Sequence, residues 1–98
     1  MTAPVAGSAG EPVRRLAIRI RGQVQGVGFR PFVYRLAGEF KLRGWVRNDA
    51  AGVAIEAQGP AAALERFLAA LHQPPPLARI DMVQATALPA RAEAEGFH

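Results

Sequence analysis

Apolar and polar residues alternate near the start of the chain, where Leu16, Ile18 and Ile20 are separated by Ala17, Arg19 and Arg21. A period of two puts the three apolar side chains on one face, which predicts a half-buried strand ending at Gly22. From Pro31 the period lengthens: Phe32, Val33, Leu36, Ala37 and Phe40 recur at helical spacing, with Arg35 and Glu39 left to water. Leu42 to Asn48 returns to strand character. Asn48 to Gly52 supplies turn residues before Val53 to Ala57, so the second and third strands are predicted to form an antiparallel hairpin. Gly59-Pro60 then opens a second helix with a stripe at Leu64, Phe67, Leu68 and Leu71, and Pro74-Pro75-Pro76 stops it. Ile80 to Leu88 reads as a fourth strand with weaker alternation.

Strand, helix, strand, strand, helix, strand is the order of an α+β, ferredoxin-like split βαβ sandwich. Two short helices can cover one face of a four-stranded antiparallel sheet. With 98 residues the chain has room for one such core. The domain is expected over residues 14–90, between a flexible N-terminal tail at 1–13 and a C-terminal tail at 91–98. Residues 1–12 show no basic start and no continuous apolar run, which argues against a signal peptide. No stretch has the length of a membrane span.

The connection from Gly22 to Arg30, Gly-Gln-Val-Gln-Gly-Val-Gly-Phe-Arg, changes the picture from fold to chemistry. Three glycines allow tight turning and leave backbone N–H groups uncovered, and the loop runs into a helix N-terminus where orphan N–H groups favour an anion. The guanidinium of Arg30 adds planar donors suited to phosphate or carboxylate. A Gly-rich turn is also an ordinary strand-to-helix connection, and the spacing is neither the dinucleotide fingerprint nor the P-loop.

Charge points the same way. Residues 14–47 hold nine of the twelve Lys and Arg against a single acid, Glu39, so the +4 of the whole chain is concentrated in its first half. Such a field attracts anionic ligands. Cysteine is absent, which excludes thiolate chemistry and fits a reducing cytoplasm. No Ser/His/Asp arrangement and no His/Cys cluster with metal-ligand spacing can be assembled, so neither a metal nor a cofactor is expected. His72 suits the C-terminal end of its helix. Asn48 offers a donor and an acceptor that can orient water without ionising, or it serves simply as a turn residue.

Taken together, Val24-Gln25-Gly26-Val27-Gly28-Phe29-Arg30, Gly44-Trp45-Val46-Arg47-Asn48, Gly52-Val53 and Gly59-Pro60 resemble the pattern of the acylphosphatases. Pro31 to Ala37, Trp45 to Asp49 and Pro75 to Ile80 more narrowly resemble the N-terminal acylphosphatase-like domain of the HypF carbamoyltransferases of hydrogenase maturation. The resemblance implies hydrolysis of the carboxyl–phosphate bond of acyl phosphates, with carbamoyl phosphate as the compound handled. It carries over two catalytic residues: Arg30 as phosphate ligand and Asn48 as positioner of the attacking water. The phosphate-binding loop is then Gln25, Gly26, Val27, Gly28, Phe29 and Arg30. It further implies inorganic phosphate as a ligand, the remainder of a larger carbamoyltransferase and other hydrogenase maturation proteins as partners, and a last edge strand that Gly96-Phe97-His98 would begin. Two alternatives stay open. One is a domain that docks carbamoyl phosphate without hydrolysing it. The other is an RNA-binding module of the same element order, against which stands the absence of any aromatic residue in Val53 to Gln58.

Overall fold

The alternation at Leu16, Ile18 and Ile20 belongs to a strand, β1, that spans Val13–Gln23. A computed structural model describes residues 12–92 and 96–98; most of the expected N-terminal tail therefore lies outside the described residues, and Val13 already belongs to β1, paired with Pro60. The other elements are α1 (Phe29–Glu39), β2 (Arg43–Asp49), β3 (Gly52–Pro60), α2 (Ala61–Leu71) and β4 (Arg79–Leu88). The sheet order is β2-β3-β1-β4 with every neighbouring pair antiparallel. This is the ferredoxin-like sandwich that the pattern predicts.

Boundaries differ where the local chemistry allows more than one solution. α1 begins at Phe29, two residues before Pro31, because proline is tolerated anywhere in a first turn whose N–H groups lack intrahelical partners. Arg30 therefore sits inside the helix rather than closing the loop. Gly59 and Pro60 do not separate hairpin from helix; they complete β3 by pairing with Arg14 and Val13. β4 is an edge strand with no buried position and only Ile80, Val83 and Leu88 half-buried, which accounts for its weak alternation.

The helix-side face of the sheet carries Ile18 and Ile20 of β1, Val53 and Ile55 of β3 and Val46 of β2, all buried. Against them pack Phe29, Val33 and Leu36 of α1 and Leu64, Phe67 and Leu71 of α2. Association of these faces supplies the main driving force for the fold. On the opposite face Arg15 is only 2% exposed, an unusual state for a guanidinium. It is held by the Glu56 carboxylate at 2.8 Å and donates to Gln58 Oε1 at 3.1 Å.

Gln58 does a second thing that no local pattern shows. Its amide accepts from the Arg91 N–H and donates to the Arg91 carbonyl, both at 2.8 Å, so the side chain stands in for a paired backbone strand. Farther along, Gly96–His98 lies parallel to the free edge of β2. Gly44 N–H donates to the Gly96 carbonyl (2.9 Å), His98 N–H to the Gly44 carbonyl (2.9 Å) and Val46 N–H to the His98 carbonyl (3.0 Å). Gly44 has φ of 137°, and a Cβ there would overlap the Glu56 carbonyl oxygen, so the strand can close on both neighbours only with glycine at this position.

Candidate functional site

β1 delivers the chain to the end of the sheet at Gln23, and Val24, 2% exposed, anchors the following loop in the core. Gly26 and Gly28 then both adopt the left-handed conformation, with φ of 71° and 81°. A Cβ at either would meet nothing within 4 Å, so glycine is required here by the backbone and not by lack of space. Gly28 is the N-cap of α1 and provides no capping side chain. Its carbonyl accepts the Phe32 N–H at 3.2 Å, while the N–H groups of the first turn remain available to an external acceptor. This end of α1 also carries the positive pole of the helix and no acidic residue in its first turn.

Gly26, Gly28 and Arg30 line an open cleft of about 610 Å³, and Asn48, from the end of β2, lines it with them. The split βαβ topology explains the meeting. β1 and β2 run parallel with β3 between them, so the loop leaving β1 and the end of β2 lie at the same end of the sheet. Both Arg30 and Asn48 are exposed, and neither side chain bonds to another described residue. An unpaired guanidinium, uncapped N–H groups and a neutral carboxamide thus converge on one volume. The arrangement can hold a dianion and orient a water beside it.

Other expected loop residues turn elsewhere. Phe29 buries its ring in the core and can offer the cleft only its backbone, and Val27 packs partly against the core. The Gln25 amide points away, donating to the Asp49 carbonyl at 2.6 Å across to the β2–β3 turn. That turn is itself tied down. The Asp49 carboxylate accepts from Arg19 at 2.8 Å and from the Ala51 N–H at 2.9 Å.

These donors, Arg19 foremost, hold the Asp49 carboxyl below the usual carboxylate range. A depressed folded-state value stabilises the native chain above the unfolded carboxylate's range, and the gain is lost as pH falls through the lower folded value. Asp49→Asn is therefore expected to lower the melting temperature slightly at neutral pH, the pair being exposed, and to match the wild type in strong acid. Melting curves across that range check it.

Tyr34 was given no role by the sequence. It lines the cleft because it follows Arg30 by four residues and so shares its helix face. On the other side of the sheet, Trp45 lies under the Arg47 guanidinium, 4.5 Å from the ring centroid. Its face is covered, which removes the one aromatic that a base could stack on in β2 or β3.

The acylphosphatase family model matches residues 16–98. The chain belongs to the acylphosphatase family. An acylphosphatase from Salinibacter ruber is 45% identical over 85 residues, covering 86% of this chain and 90% of its own length. Carbamoyltransferase HypF2 of Cupriavidus necator is 60% identical over 84 residues, covering 85% of this chain and 10% of the relative. This acylphosphatase domain thus spans about a tenth of the HypF carbamoyltransferases that it matches. Among solved structures, full-length HypF in a phosphate- and nucleotide-bound form superposes with a TM-score of 0.84 at 36% identity, over 89% of this chain and 12% of that one. The acylphosphatase of Bacillus subtilis gives 0.79 at 36% identity, over 88% and 96%.

Proposed function

We propose that this acylphosphatase-family domain hydrolyses the carboxyl–phosphate bond of acyl phosphates, and that in its biological setting it handles carbamoyl phosphate as part of a cytoplasmic carbamoyltransferase of hydrogenase maturation. The observation that carries the reading is the convergence of Arg30, the uncapped first turn of α1 and Asn48 on one cleft. Likeness to free acylphosphatases supports hydrolysis, and likeness to the HypF carbamoyltransferases supports the larger setting.

In this reading the loop amides from Gln25 to Phe29 and the Arg30 guanidinium hold the phosphoryl oxygens. Asn48 orients water for attack on phosphorus, the P–O bond to the acyl group breaks, and a carboxylate leaves without prior protonation. Phosphoryl transfer needs chiefly positioning and charge stabilisation, and positioning alone can contribute on the order of 7–11 kcal/mol. A strong base is not required.

The test is hydrolysis of benzoyl phosphate and carbamoyl phosphate by the chain, with inorganic phosphate as a competitive inhibitor. Asn48→Ala is expected to lower kcat roughly a hundredfold while the phosphate inhibition constant changes little, since the carboxamide acts on water and not on the bound anion. An unchanged kcat with weakened phosphate inhibition would contradict that role. Phosphate binding by a folded wild type that hydrolyses neither compound would assign a docking domain instead.

A further inference from the structure

The cleft does not end at the phosphoryl site. It continues along α1 from Arg30 past Pro31 to Tyr34, about 6 Å farther along the helix axis at 1.5 Å per residue. Tyr34 is 38% exposed, the most exposed aromatic ring on α1, and it is not left to choose its own orientation. Phe97 packs against it edge-on, with ring centroids 5.7 Å apart and planes at 87°. Phe97 in turn is fixed by the backbone ladder of Gly96 and His98 on β2. An aromatic surface is therefore held in place beside the anion site by a segment that makes no other evident contribution to the cleft.

We infer that Tyr34, oriented by Phe97, is the acyl-side wall of the cleft and favours acyl phosphates whose acyl group is aromatic. The inference rests on the reading that the loop and Arg30 hold the phosphoryl group. With phosphorus at the N-terminus of α1, the acyl group extends along the helix, where Pro31 and the tyrosine ring supply apolar surface. A benzoyl ring can stack on that surface, whereas a carbamoyl group has no ring face to offer and derives its affinity from the phosphoryl end. Tyr34 is a specificity residue in this account. Phe97 is a positioning residue.

The experiment compares kcat/KM for benzoyl phosphate and carbamoyl phosphate in the wild type, Tyr34→Ala, Tyr34→Phe and Phe97→Ala, each checked for folding by circular dichroism. Tyr34→Ala is expected to lower the benzoyl value about fivefold, mainly through KM, with the carbamoyl value and phosphate inhibition unchanged. Tyr34→Phe should retain the wild-type preference because the ring face and not the hydroxyl is used. Phe97→Ala should shift the preference in the same direction by a smaller factor. An unaltered benzoyl-to-carbamoyl ratio in Tyr34→Ala, with turnover still present, would overturn the wall and leave the hydrolytic reading standing.

Calorimetric titration with phenylphosphonate and inorganic phosphate separates the two ideas if the wild type does not turn over. Tighter binding of phenylphosphonate that is lost in Tyr34→Ala would uphold the wall although hydrolysis had failed. Equal affinity for the two ligands in both proteins would overturn it.

Discussion

Replacing Arg30 by alanine is expected to abolish acyl phosphate hydrolysis, by about a thousandfold or more, without changing the circular dichroism spectrum or the melting temperature. The two halves of this result have separate causes. The side chain is exposed, on the first turn of α1, and bonds to no other described residue, so its removal takes nothing from the folded core. In the proposed reaction it is also the one formal cation among the described residues that line the cleft, facing the oxygens on which charge is spread in the transition state. Arg30→Lys is expected to recover only a small part of the rate, because an ammonium cannot reproduce two parallel N–H donors in one plane. Turnover of Arg30→Ala at the wild-type rate would remove the mechanism.

Phe67→Ala is expected to have the largest effect on stability, about 3–5 kcal/mol. The ring is fully buried on α2 within the cluster shared with β1 and β3, and it does not line the cleft. Its deletion removes apolar burial and leaves a cavity that two helices pinned to one sheet face can close only in part. Against the roughly 5–15 kcal/mol typical of native domains, that loss brings the chain near its unfolding threshold. Urea titration should show a lower midpoint at an unchanged slope, and hydrolysis should fall only with the folded fraction. A loss of unfolding free energy under about 1 kcal/mol would mean that the helix repacks around the deletion.

Much of this was legible in the residues. The periods of two and 3.6 at Leu16–Ile20, Phe32–Phe40 and Leu64–Leu71 placed the strands and helices, since burial on one face is what those spacings encode. Element boundaries were less legible: Pro31 is compatible with several positions in a first turn, and only the left-handed Gly28 decides where α1 begins. Arg15 shows the limit of alternation. It falls on the outward face of β1, yet Glu56 and Gln58, more than forty residues away, supply the partners that let it be buried. By residue type alone Asn48 reads as a water-orienting carboxamide or as a turn residue; the family resemblance singles it out, and its place on the same cleft as Arg30 depends on strand order. Tyr34 could have been found from its spacing of four residues after Arg30, had the cleft been known to extend along the helix.

The bond from the Gln25 amide to the Asp49 carbonyl has a consequence for binding thermodynamics. It ties the glycine-rich loop to the same turn that ends the strand carrying Asn48, so the fold itself links the two sides of the cleft. The conformational entropy of bringing them together is lost when the chain folds and not when ligand arrives. In the proposed reading, phosphate would thus enter a site whose two sides are already linked, with less reorganisation left for its own binding energy to offset.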